Sequence, residues 1–448
     1  MTKNMTTGSP FKLIMSFALP LLLGNLLQQT YNLIDAAIVG RFLGSDALAS
    51  VGASSSVQFL VLGFCMGTAC GFGVPIARHF GAGDIKKLKQ YFYNSIVITA
   101  VTAFVLTTVC AVLCSEILKL LSTPSNIFDD AYKYLLVIFL GIPFTLLYNL
   151  LSSVLRSVGD SKTPFVFLAI STVLNIALDL VCVIVFRWGC MGAAIATVVA
   201  QAISGILCAI FIMKKVSVLK LTKEDRVMSK PAVLNLIIMG FPMGLQYSIT
   251  AIGAMMMQSS LNILGSVAIA GFTAASKIEQ LVTQAYVALG TTMATYCAQN
   301  MGAGKILRIR QGFKSATWMG FAYAVVTGIF VMFAGKYLTP LFLSENLGQI
   351  MGYVDIYLKC VGLFFIPLTV VNVYRNGIQG MGFGILPMMA GVAELIGRGV
   401  VAIGAAHYKS YVGVCLASPA AWVLAGGLLL VMYFHIMKRY TEDLSGQK

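Results

Sequence analysis

The chain has 448 residues, 58% of them hydrophobic and 10% charged, with a mean hydropathy of +0.87. No soluble domain of this size carries that balance, so the chain reads as an all-α polytopic membrane protein. The net charge of +15 would suit nucleic acid, but the cations sit in short loops between apolar spans, which excludes that partner and leaves the lipid bilayer.

The first apolar stretch, residues 13–40, holds no charge except Asp35. Its length allows it to span a bilayer with tilt to spare, and it is too long for a signal-peptide core. On a helix, Asn25, Gln28, Asn32 and Asp35 fall three, four and three apart and form one polar stripe. A carboxylate in hydrocarbon costs roughly 2.5–3.5 kcal/mol on insertion scales, so Asp35 is expected to face protein or water. Pro20 removes a backbone bond mid-stretch and offers a bend. Eleven further spans follow, at 51–77, 92–114, 131–155, 163–186, 190–213, 232–260, 266–298, 312–335, 350–378, 384–406 and 411–437.

With the N-terminus placed inside, the inner segments carry 21 of the 31 Lys and Arg residues and the outer segments 6, with four more inside spans. Both termini are therefore expected in the cytoplasm of a cell that carries the protein in its plasma membrane. The longest polar stretch, 214–231, separates an N-terminal lobe (1–213) from a C-terminal lobe (232–448). The ten cysteines contain no C-x-x-C pair and read as packed thiols, with Cys190 and Cys415 as the pair to check.

The two halves resemble each other at a separation of about 222 residues. The segment from Ala77 through Gly81-Ala82-Gly83 meets Ala298 through Gly302-Ala303-Gly304. Ala47 and Ala49 meet Ala268 and Ala270, and Pro20 and Pro143 fall one residue from Pro242 and Pro367. Gly159 and Pro164 meet Gly382 and Pro387. Six spans per half is an even number, so the repeats are parallel: two pseudo-symmetric six-helix bundles facing a central cleft, an arrangement suited to alternating access.

Within the first half, Asn175 and Asp179 share a helix face. At 1.5 Å per residue, Asp35, Asp179 and Thr197 lie roughly 8–10 Å below the outer surface. Oxygen donors from three helices at one depth suit Na⁺ as a metal ligand set, or a proton shared between two carboxyls. The second half does not copy this group, since Met256, Arg398 and Ala402 stand at the positions matching Asp35, Asn175 and Asp179. Glu394 and Arg398, four apart, are expected to pair, as are Asp355 and Lys359, whereas Arg375 has no partner close in sequence. These ions are either bundle glue or part of a substrate cavity, for which the polar and adaptable candidates are Gln28, Tyr31, Asn32, Gln246, Met256, Glu279, Arg375, Glu394 and Arg398. There is no Walker A pattern, nucleophile elbow or interfacial catalytic cluster, so neither ATP-driven transport nor an enzyme is expected.

Several of these stretches together resemble the multidrug and toxic compound extrusion (MATE) family over the whole chain. They are Ala18-Leu19-Pro20, Asn32-Leu33-Ile34-Asp35 with Val39-Gly40, Pro75 through Gly83, Leu155-Arg156-Ser157-x-Gly159-Asp160 and Asn175-x-x-Leu178-Asp179. The resemblance implies twelve helices in two lobes, a single chain as the working unit, no cofactor, and efflux of cationic amphipathic compounds in exchange for Na⁺ or H⁺. It places the family's N-lobe cation site at Asp35, Asn175, Asp179 and Thr197, with Asn149 nearby. Residues 241–260 depart from members with an acid in the seventh span, holding only Gln246 and Gln258. The alternative, a flippase of lipid-linked saccharides from the wider superfamily, requires a cationic cavity for which Arg375 and Lys277 are the hints. A major-facilitator exporter is excluded by the loop after the second span, which lacks that family's basic pattern.

Overall fold

The computed structural model describes residues 4–121, 123–341 and 347–446. Lys3 and Lys448 of the charge count lie outside them. Among the described residues there is no strand. The helices are α1 (Pro10–Leu43), α2 (Ser45–Ala82), α3 (Ile85–Leu120), α4 (Ser125–Leu140), α5 (Ile142–Ser157), α6 (Lys162–Leu180), α7 (Gly189–Lys215), α8 (Lys230–Asn262), α9 (Ser266–Gly302), α10 (Ile306–Ala334), α11 (Leu347–Gly362), α12 (Phe365–Gly380), α13 (Ile385–His407) and α14 (Tyr411–Gly446). Nine of these are individually long and apolar enough to cross a bilayer, and α4 with α5 and α11 with α12 form two further spans bent by 45° and 52°. With the long but more polar α9, these make the twelve expected spans.

The fourth and tenth expected spans, 131–155 and 350–378, are thus each broken by a bend. Gly141 and Pro143 stand at the first, and Pro367 lies in the opening turn of α12. Proline has no N–H to give the preceding turn and fits best where a helix starts. Gly141 also sits so close to α7 that a Cβ there would lie 2.3 Å from Val198 Cγ2. Pro20, by contrast, lies inside a continuous α1.

Packing divides the chain into two units. The first contains residues 19–248, and the second contains residues 5–18 and 249–448. Residues 5–18 and 232–248 thus sit apart from the lobes assigned to them by cutting the sequence at its polar linker. The reason in the second unit is a set of hydrogen bonds to the segment before α1. Met5 N–H donates to Gln299 Oε1 (2.8 Å), Asn300 Nδ2 to Met5 O (3.2 Å), Lys305 Nζ to Thr6 O (2.8 Å) and Arg308 Nη1 to Gly8 O (2.9 Å). In the first unit, α8 lies along α2 through facing glycines. A Cβ on Gly71 would fall 2.5 Å from Gly240 Cα, and one on Gly67 2.9 Å from Gly244 Cα. Small residues four apart on both helices permit this backbone approach.

The repeat is written in the backbone. Gly83 (φ 74°) and Gly304 (φ 67°) close α2 and α9 in the left-handed conformation. The next residues, Asp84 and Lys305, then donate to the carbonyls of His79 (3.1 Å) and Asn300 (2.9 Å). This is the Schellman geometry that explains why Gly-Ala-Gly recurs. Arg187 (φ 55°) and Lys409 (φ 49°), the two non-glycine residues with positive φ among those described, stand 222 residues apart at matching turns. The linker is docked on the first unit: Lys89 Nζ meets Asp225 Oδ2 at 3.2 Å, Asn94 Nδ2 donates to Val227 O (3.0 Å) and Ser229 N–H to Asn94 Oδ1 (3.1 Å). All ten cysteines are free and eight are buried; Cys190 Sγ faces Ala47 O, while Cys415 lies beside Cys360.

Candidate cation-binding site

The first unit brings Asp35, Asn175, Asp179 and Thr197 together. Helices α6 and α7 pack side by side, and α1 presents Asp35 and Tyr31 to them. Asn175 and Asp179, one turn apart on α6, are 2% and 0% exposed. In one orientation of its amide, Asn175 donates to Asp179 Oδ2 (2.8 Å) and accepts from the Thr197 backbone N–H (3.1 Å). In the other, Nδ2 donates to Thr197 Oγ1 (3.3 Å). The first arrangement satisfies both ends of the amide and is the better match to its surroundings. Tyr31 Oη and Thr197 Oγ1 share a hydrogen bond of 2.9 Å.

The carboxyls of Asp35 and Asp179 lie within hydrogen-bonding reach of each other. Each retains a buried Oδ1 that no protein group satisfies. Two carboxylates in contact away from water cannot both stay ionised unless a proton or a cation comes between them. The donor set is oxygen throughout, which suits a hard cation or a proton and not a soft metal. Immediately after Asp179 the helix widens into a π turn over Val181–Val185, a local departure common at functional sites.

Tyr134 on α4, which the sequence reading missed, lies near both carboxyls and is held by Gln58 of α2. No spacing rule links a tyrosine in the fourth span to acids in the first and fifth. Asn149 is half-buried and gives its Nδ2 to Thr145 O of its own helix (2.8 Å), not to the carboxyl pair. Of the cavity candidates, Gln28, Tyr31, Asn32 and Gln246 belong to the first unit and the other five to the second.

In the second unit Glu394 pairs with Arg398 as expected, at 2.8 Å, and also with Arg375 of α12 at 2.6 Å. Arg375 thus gains from the fold the partner its sequence neighbourhood lacks. Glu279 accepts a hydrogen bond from Tyr357 Oη, while Lys277, two residues earlier, is exposed. Asp355 pairs with Lys359 at 2.6 Å, and with Lys336 at 3.5 Å. Met256 packs against Gly399.

The MatE family model matches residues 20–181 and, in a second copy, 242–403. The chain belongs to the MatE family. The two matches are offset by 222 residues, the period read from the glycines and prolines. MatE proteins are transporters, so this chain is a multi-span membrane transporter. It is 31% identical over 376 residues to the probable multidrug resistance protein YpnP of Bacillus subtilis, covering 84% of this chain and 83% of that one. It is 27% identical to YoeA of the same organism, also a probable multidrug resistance protein, over 98% and 96% of the two chains. The outward-facing conformation of a multidrug resistance MATE family transporter of the MOP superfamily superposes on 99% of both chains with a TM-score of 0.92 at 20% identity. That likeness carries the twelve-helix, two-lobe fold.

Proposed function

We propose that this MatE protein exports small cationic amphipathic compounds in exchange for Na⁺ or H⁺, and that the ion is taken up between Asp35 and Asp179 with Asn175 and Thr197 as neutral partners. The observation that carries the reading is the contact between two carboxyls from different helices, each with a buried unsatisfied oxygen. An arriving ion cancels negative charge in the first unit and weakens its hold on a bound organic cation. By reciprocity, substrate weakens ion binding by the same factor. The protein works in the plasma membrane as a single chain, with both termini cytoplasmic. The flippase alternative relied on Arg375 and Lys277. Arg375 is buried in an ion pair with Glu394, and Lys277 alone is too little to hold a pyrophosphate.

The test is counterflow of a labelled organic cation in vesicles, first with a Na⁺ gradient and then with a pH gradient. One gradient should drive uptake in the native protein, and neither should do so in Asp35→Asn or Asp179→Asn, while both variants still insert and fold. Near-native driven transport by either variant would remove that residue from the site.

A further inference from the structure

A second polar constellation lies away from the carboxyl pair, on the second unit. Helices α10 and α14 both pack on α12, and a cavity of about 710 Å³ opens between them. One face of α10 lines it, from Leu307 through Arg310, Gln311 and Lys314 to Trp318 and Phe321. Its floor is a fixed aromatic cluster: Phe313, Tyr374 and Tyr433 have ring centroids 4.6–5.1 Å apart. Thr317 Oγ1 holds Tyr374 Oη at 3.4 Å. The far wall includes Phe434, which is 65% exposed, opposite Trp318 at 66%.

The charges are distributed unevenly. The neighbouring cations Lys305 and Arg308 hold the segment before α1. Arg310 and Lys314 are exposed and have no carboxylate partner among the described residues, and no acid lines the cavity. They stand about one helical turn, ~6 Å, apart. Deeper along the same face the lining changes to indole and phenyl. Two unpaired cations at the mouth with two turns of aromatic wall below match an amphiphile with an anionic head. An organic cation would be repelled, and a free phosphate would leave the aromatic wall unused.

We propose that this groove holds one anionic phospholipid of the leaflet in which α10 begins, its phosphate between Arg310 and Lys314 and its acyl chain along Trp318 and Phe434. Each cation near a membrane surface contributes roughly a five-fold preference for an anionic lipid. Trp318 serves as the reporter once Trp188→Phe and Trp422→Phe have been introduced into the full chain. In vesicles, phosphatidylglycerol with brominated acyl chains should quench Trp318 at a mole fraction at least five-fold lower than brominated phosphatidylcholine. Arg310→Gln with Lys314→Gln should abolish that preference, and the charge-preserving Arg310→Lys with Lys314→Arg should keep it. If the glutamine pair does not fold, Lys314→Gln alone should lose about five-fold. Equal quenching by the two lipids, or a preference that survives removal of both charges, overturns the proposal. Excess soluble glycerol phosphate should leave the quenching unchanged, and relief of quenching by it would show that the groove reads phosphate without lipid and overturn it equally.

Discussion

Glu394 accepts from two arginines on two helices inside the bundle, and the unfolding cost of its variants follows from that count. Removing one partner of a buried pair typically costs 3–5 kcal/mol because a charge is left uncompensated, whereas removing the whole set is far milder. Glu394→Gln should therefore lower the thermal midpoint in detergent sharply. Glu394→Gln with Arg398→Gln should remain poor, because Arg375 is still buried and now alone. Joint Arg375→Met, Glu394→Leu and Arg398→Met should recover most of the loss. A fully restored midpoint in the double variant would show that Arg375 has another anchor. In the first unit Thr197→Val removes the hydroxyl that Tyr31 meets. Losses of a supporting contact at ion sites run to 10–100-fold in affinity. The ion concentration for half-maximal exchange should rise by about tenfold while the maximal rate holds. At this scale the sequence displayed most of the candidate site, because Asp35, Asn175, Asp179 and Thr197 are the polar interruptions of oily helices. It hid Tyr134, Gln58 and the Arg375–Glu394 pair. Those contacts join one helix to another, and helical periodicity reports only one helix at a time.

Helix ends and close approaches decide the elements. The number and order of the spans were legible, but their limits differ from the helix ends by up to nine residues, because the helices run on past their apolar stretches. The bends at Gly141 and before Phe365 were not legible, because a bent span and a straight one have the same hydropathy and only the placement of Pro143 and Pro367 separates them. The seam of α2 and α8 gives a direct test. A side chain at Gly71 would overlap Gly240 Cα at 2.5 Å. Overpacking typically costs 1–3 kcal/mol, so Gly71→Val should lower the thermal midpoint, while Gly52→Ala on the same helix, with open space around it, should not. The linker has its own clasp. Donation from the Thr222 N–H and Oγ1, both at 2.7 Å, together with Lys89, holds the Asp225 carboxyl below the usual carboxylate range. A depressed carboxylate contributes stability above its unfolded value near 3.9 and loses it as pH falls through the lower folded value. Cleavage of the linker by trypsin-like proteases, taken relative to that of an unstructured peptide at the same pH, should thus be unchanged between pH 8 and about 5. Asp225→Asn should accelerate it across that whole range, and an equal rate in variant and native protein would remove the clasp.

For the molecule as a whole, the charge asymmetry of the loops predicts orientation. With accessible native thiols removed, Thr222→Cys should react with an impermeant reagent only in inside-out vesicles, and Lys409→Cys only from outside intact cells. Labelling of position 222 from outside would invert the topology. The two halves share their frame down to the left-handed turns at Arg187 and Lys409, yet their buried charges differ. The first holds acids that lack a base, and the second holds an acid matched by two bases. The period of 222 residues was readable from glycines and prolines because those residues are fixed by backbone geometry, which duplication preserves while side chains diverge.

The strap before α1 has a consequence for biosynthesis. Met5, Thr6 and Gly8 are anchored by residues 294 to 303 positions later in the chain. A ribosome adding 5–20 residues per second reaches those anchors roughly 15–60 s after it has made the strap. The strap is thus among the last parts of the second unit to settle. It must wait, unpinned, until the elbow between α9 and α10 has been inserted. Severing the chain at its linker would divide the strap from its anchor, and the two fragments could form a native second unit only if the later one captured residues 5–18 of the earlier.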